Sequence, residues 1–112
     1  MKKIAMLNCL KANEVCTGAA CFKAFNLKQK HFEMYKDEEI ELAAYMRCNG
    51  CGKEPSKDDG MIEKIERLRK EGVEVVHVGV CTQNGAGEEC KTITEIASML
   101  EEKGIKVIRG TH

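Results

Sequence analysis

Val73-Glu74-Val75-Val76-His77-Val78-Gly79-Val80-Cys81 carries valine on both faces of an extended chain and ends at a cysteine. A strand apolar on both faces needs cover above and below, which is the situation of an interior strand in a parallel sheet. The flanking sequence supplies that cover. Upstream, Pro55 and Ser56 open a helix, with Ser56 and Asp59 as a capping-box variant and Met61, Ile62, Ile65 and Leu68 on its buried stripe. Gly72 ends that helix where a C′ glycine is expected. Downstream, a loop from Thr82 to Lys91 contains Gly85, Gly87 and Cys90. Thr92 and Glu95 then cap a helix with Ile93, Ile96, Ala97 and Leu100 on its apolar face, and Gly104 closes it. Ile105 to Arg109 is a short last strand before Gly110-Thr111-His112.

The first half repeats the pattern. Lys3 to Cys9 holds a continuous apolar run (Ile4, Ala5, Met6, Leu7) that suits a buried strand. Leu10 to Cys16 is loop-like, Thr17 is positioned to cap a helix, and Ala19, Ala20, Phe22, Ala24 and Phe25 populate that helix. Asn26 to Glu39 has no clear period. Glu39 to Arg47 alternates, with Ile40, Leu42, Ala44 and Met46 on one face and Glu41, Ala43, Tyr45 and Arg47 on the other. The order is therefore β-α-β-α-β-α-β, an α/β chain with a parallel sheet and right-handed crossovers. The first and third strands, apolar on both faces, belong in the centre; the alternating second and fourth belong at the edges. The expected architecture is a small, doubly wound, four-stranded, flavodoxin-like sheet of order 2-1-3-4, filling one domain over residues 1–112.

Sulfur is the chemical signal. There are seven cysteines, an odd number, and nothing resembling an export or membrane segment: the apolar run after Met1-Lys2-Lys3 is broken at Asn8 and stops at Lys11. The expected compartment is the cytoplasm, where such thiols serve metal or redox chemistry rather than a disulfide framework. Lys plus Arg equals Asp plus Glu at 18 each, and tryptophan is absent. Neither an electrostatic case for nucleic acid or membranes nor a base-stacking platform follows. Within Arg47-Cys48-Asn49-Gly50-Cys51-Gly52, the C-x-x-C spacing suits a metal knuckle, with Gly50 and Gly52 free to turn backbone amides toward sulfur. On the expected sheet, Cys9, Cys48, Cys81 and His112 end the successive strands, while Cys16, Cys51 and Cys90 lie in the loops leaving the first three. Nearly every soft ligand is thus expected on one rim, where ligands sit in such folds.

Other signals carry bland readings. Cys21, inside a helix, reads as a packed small hydrophobe, His77 as a hydrogen-bonded core histidine, and His31 as solvated. Cys9 as a nucleophile would need a phosphate-binding turn that Lys11 to Val15 does not provide. Gly85-Ala86-Gly87 lacks the lysine and spacing of a phosphate loop, and Glu88 and Glu89 read as solvent-facing.

Cys16-Thr17-Gly18 with Cys21-Phe22-Lys23-Ala24-Phe25, the strand ends Cys9 and Cys81, His77, Cys90, Gly110-Thr111-His112 and the central knuckle together resemble the CGGC-domain family of small prokaryotic proteins. The resemblance runs nearly end to end and implies a zinc or other metal site. One departure is visible: the motif Cys-Gly-Gly-Cys is Cys48-Asn49-Gly50-Cys51 here, and asparagine is the residue that best tolerates left-handed backbone after glycine. The expected function is metal binding, with zinc held by Cys48 and Cys51 and two further ligands from Cys9, Cys81, Cys90 or His112. The surplus of thiols keeps an iron–sulfur cluster or a thiol/disulfide redox role as the alternative, and metal sensing or storage as a third. No acid–base pair names an enzymatic reaction, and no protein partner is indicated.

Overall fold

A computed structural model describes residues 1–112. Four strands, β1 (Lys2–Asn8), β2 (Ile40–Arg47), β3 (Val75–Val78) and β4 (Lys106–Arg109), form one sheet of order β2-β1-β3-β4, and every neighbouring pair is parallel. Helices α1 (Ala19–Asn26), α2 (Asp59–Glu71) and α3 (Lys91–Glu102) supply the crossovers. This is the doubly wound, flavodoxin-like arrangement. No helix is long and apolar enough to cross a membrane.

The burial pattern explains the order. β1 is wholly buried from Ile4 to Asn8 and β3 along its whole length, so both need sheet and helix on every side. Alternation along these strands sorts their side chains into two layers. Ala5, Leu7, Val76 and Val78 pack with Met61, Ile65 and Leu68 of α2 and Ile93, Ile96 and Leu100 of α3. Ile4, Met6 and Val75 face Cys21, Ala24 and Phe25 of α1, together with Phe32 and Tyr35 from a 3-10 segment, Lys30–Tyr35. That segment falls in the stretch whose sequence shows no clear period, because its two buried aromatics are one three-residue turn apart and the helix is too short to repeat the spacing.

β2 departs from simple alternation. Ile4 pairs with Leu42 but Ala5 with Ala44, so Ala43 is an extra residue, a bulge. Leu42 and Tyr45 consequently face the α1 layer, while Ala43, Ala44 and Met46 face α2 and α3. A strict period of two, which groups Leu42 with Ala44 and Met46, fails at that one residue. The ends of the other elements also shift. α2 is capped by Asp58, whose Oδ1 accepts the Gly60 N–H at 3.0 Å, since Pro55–Lys57 forms a separate 3-10 turn and leaves Ser56 outside. Ile62 is exposed rather than buried. α3 begins at Lys91 after Cys90, and the Thr94 hydroxyl donates to Glu89 and to the Cys90 carbonyl instead of a Thr92–Glu95 box. β3 stops at Val78, and Cys81 sits in the following 3-10 turn, Val80–Thr82. Glu89 is not merely solvated: Arg109 pairs with it at 3.0 Å and ties the glycine loop to β4.

His77 lies at the heart of the α1 layer and is wholly buried. Its Nδ1 is 2.8 Å from the Gly110 carbonyl, which can only accept, so Nδ1 carries the proton. Nε2 then accepts from the Tyr35 hydroxyl at 2.8 Å. Burial, followed by the neighbouring Glu38, pushes the Tyr35 phenol up to about 12, so it stays a donor. Burial also holds His77 below the ordinary histidine range, with the Gly110 carbonyl pulling the other way. The imidazole is a neutral strut.

An unfolded histidine takes up its proton near its ordinary value while the buried one resists, so acid favours the unfolded chain. This contribution to stability is present above the ordinary histidine pKa and is lost as pH falls below it toward the depressed folded value. We expect the thermal midpoint to drop on acidification through that range. His77→Gln, which keeps a donor and an acceptor, should flatten that dependence while costing about 1–2 kcal/mol at neutral pH; thermal denaturation across pH measures both.

Candidate metal centre

The carboxyl ends of β1 and β3 stay in register beyond the strands, with the Gly79 N–H donating to the Leu7 carbonyl at 2.9 Å. Gly79 follows β3, and a Cβ built there would stand 1.9 Å from Asn8 Oδ1, so the Asn8 side chain occupies the space of the missing methyl. Asn8 is buried, its Oδ1 accepts from the Cys81 thiol at 3.3 Å, and its Nδ2 has no hydrogen-bond partner. The Cys9 N–H also points at the Cys81 sulfur, at 3.5 Å. Parallel pairing, one glycine and one amide thus set Cys9 and Cys81 side by side.

Two further cysteines lie near the start of α1, Cys16 in the segment before the helix and Cys21 within it. Gly18, at φ +79°, turns the chain into the helix, and its N–H donates to the Cys16 sulfur at 3.4 Å. The capping role expected of Thr17 is exercised one residue outside the N-cap position, where its hydroxyl accepts the Ala19 N–H at 3.3 Å. Cys21 is buried, with its sulfur 3.2 Å from the Thr111 hydroxyl and 3.5 Å from His112 Nδ1. The Cys81 thiol is pushed up first by burial, and the nearby Cys9, Cys21 and Cys16 push it the same way, against the Cys9 N–H. Tyr45 closes the lip. Its hydroxyl donates to Asn13 Oδ1 at 3.0 Å, Asn13 Nδ2 donates to the Cys9 carbonyl at 3.0 Å, and its ring leans on Phe22. The phenol is raised by burial and then by Cys21 and Cys16. By direct contact, Cys81 therefore sits beside the Cys9 backbone, Cys21 beside Thr111 and His112, and Cys16 beside Gly18.

The remaining three thiols are Cys48, Cys51 and Cys90, and the Cys48 N–H donates to the Asn8 carbonyl at 3.2 Å. Cys48 is buried in the α2–α3 layer, and its sulfur accepts the Leu10 N–H at 3.4 Å. That donor comes from the loop after β1, not from the knuckle's own glycines. Cys90 precedes α3 and packs against the same layer. Cys51 is exposed, on a turn where Gly50 and Gly52 hold φ of +111° and +88°. Asn49 does not use left-handed backbone. Its side chain bridges the turn to α2 instead, donating to Asp58 at 3.0 Å and accepting from Lys64 at 2.7 Å. No three cysteine, histidine or carboxylate side chains form a ready-made cage for a metal ion. Sequence reasoning missed Asn8, Asn13, Tyr45 and Thr111; Cys21 is packed in the α1 layer, as expected from its position inside a helix.

The family model of the CGGC domain matches residues 3–112. The chain belongs to the CGGC-domain family. It is also similar to the uncharacterized protein MJ0582 of Methanocaldococcus jannaschii, 36% identical over an alignment covering 98% of this chain and 86% of the relative. No solved structure matches it. The family is cysteine-rich and metal binding is ascribed to it.

The Asn8–Gly79 contact can be tested directly. Gly79→Ala should destabilise by about 1–3 kcal/mol, the cost of overpacking. Because the backbone there is ordinary, at φ −69°, the effect is purely steric. Combining it with Asn8→Ala should cost less than the two single changes added together, as read by a double-mutant cycle in urea.

Proposed function

We propose that this CGGC domain binds zinc through Cys9, Cys81, Cys16 and Cys21, with His112 as the exchangeable neighbour. The observation that supports the reading is the Cys9 N–H on the Cys81 sulfur, with the Gly18 N–H on the Cys16 sulfur and with Cys21 and Cys16 among the groups that raise the Cys81 thiol. Amide donors on sulfur favour thiolate over thiol, and four thiolates suit the tetrahedral preference of zinc. The unpartnered Asn8 Nδ2 fits the same chemistry. Turning that amide over would aim a donor at the Cys81 sulfur, which becomes acceptor-only once deprotonated. Exposed Cys16 must swing inward, so the segment from Cys9 to Gly18 orders around the metal.

In this reading Cys48, Cys51 and Cys90 are not ligands. Cys48 is a packed thiol that anchors the loop after β1, and Asn49 fastens its turn to α2. An iron–sulfur cluster on the same thiols is the competing reading, and colour separates the two.

Protein purified without oxygen should be colourless and carry about one zinc per chain by elemental analysis. Cobalt exchange should give sulfur-to-metal charge-transfer bands. Cys81→Ser should lower zinc affinity by at least roughly a hundredfold, whereas Cys51→Ser should leave it unchanged. A brown preparation, or loss of metal from Cys51→Ser and not from Cys81→Ser, would sink the assignment.

The pH dependence has a definite sign. Zinc must displace the Cys81 proton, and that thiol is raised above its ordinary value. Affinity should therefore climb steadily from about pH 6 to about pH 8, with protons released on binding. A chelator competition series measures the slope.

A further inference from the structure

β2 is an outer strand of the sheet, and where its end meets α2 there is a cavity of about 250 Å³. Its walls are Tyr45, Met46, Arg47, Lys64, Arg67 and Leu68. Met46 and Leu68 are buried and make an apolar floor; Tyr45 is half-buried. The rim is three cations, and no carboxylate lines it.

Those cations are without counter-charges. The ion pairs of the chain are Lys2–Glu38, Lys57–Glu54, Arg69–Glu66 and Arg109–Glu89, and none includes Arg47, Lys64 or Arg67. Lys64 gives its ammonium protons to neutral acceptors, the Arg47 carbonyl at 2.8 Å and Asn49 Oδ1 at 2.7 Å. Asp58, the carboxylate that acts on Lys64 from a distance, is already engaged by Asn49 Nδ2 and the Gly60 N–H. Burial, and then the Arg47 guanidinium, hold the Lys64 ammonium below the usual lysine range. In a chain whose charges balance at 18 of each sign, three cations gathered around an apolar floor with no carboxylate among them, the lysine partly desolvated and both arginines exposed, are an unmet electrostatic demand.

We propose that this cavity is a binding site for a small phosphomonoester with a compact apolar body. The phosphate dianion meets the forked donors of Arg47 and Arg67 and the remaining ammonium proton of Lys64, and the apolar body rests on Met46 and Leu68. Guanidinium forks match phosphate oxygens in pairs, which gives direction as well as charge. The site stands apart from the proposed zinc ligands, and it does not depend on them.

Phenyl phosphate is a suitable probe, titrated into the full isotopically labelled chain at constant ionic strength. The expected result is saturable shifts of the amides of Met46, Arg47, Lys64, Arg67 and Leu68. Binding should weaken roughly tenfold or more in Arg67→Gln, and it should weaken again as salt is raised. Arg47→Gln is the second variant, should the first disturb the helix, and Arg69→Gln is the control expected to bind as the parent does. Inorganic phosphate should bind more weakly than phenyl phosphate, and benzyl alcohol should not bind. The proposal is overturned by shifts that do not saturate, by both glutamine variants binding as the parent does, or by benzyl alcohol or inorganic phosphate matching phenyl phosphate.

Discussion

β1 is paired on both sides by parallel neighbours and covered on both faces, and the remaining geometry follows from that position. A parallel strand flanked by parallel strands needs its crossovers above and below the sheet, which puts α1 on one face and α2 and α3 on the other. It also aligns every carboxyl end along one rim. At that rim β1 and β3 approach until Asn8 fills the place where Gly79 has no side chain. A larger residue at Gly79 would force the strand ends apart and with them Cys9 and Cys81. The approach of Cys9 to Cys81 is therefore a property of the central ladder more than of the loops around it.

The two faces of the sheet do different work. The α1 face is aromatic and polar in depth: Phe32 stacks 4.4 Å from His77, and His77 joins Tyr35 to the Gly110 carbonyl. That chain of contacts fastens the C-terminal residues to the core, and so holds Thr111 and His112 against Cys21. The α2–α3 face is aliphatic, and the cysteines it holds are packed among Met, Ile, Leu and Val. A thiol in the first setting has donors and acceptors within reach; one in the second has mostly hydrocarbon. Similar residues in one chain thereby acquire different chemistry.

Asn49 illustrates how the motif is used. Where the family name has a glycine, this chain has an amide that fastens the turn to Asp58 and Lys64. Drawing Lys64 toward the end of β2 also gathers it with Arg47 at the sheet edge. One substitution within the knuckle thus links the turn, the cap of α2 and the cationic cavity.

From residues alone, the fold class and the strand order were legible, because central parallel strands must be apolar on both faces and edges need not be. His77 as a core strut and Gly72 as a helix stop were legible for equally local reasons. Which thiols face one another was not. The bulge at Ala43 changes the side on which Tyr45 and Met46 lie, and no alternation rule registers one extra residue. The grouping of Cys21 with Cys81 and His112 joins residues up to 91 positions apart, and the Asn8–Gly79 contact spans the β1–β3 ladder. Such proximities arise from strand register and layer, which only the folded chain sets, because hydrophobic pattern determines that a side chain is buried but not what it is buried beside.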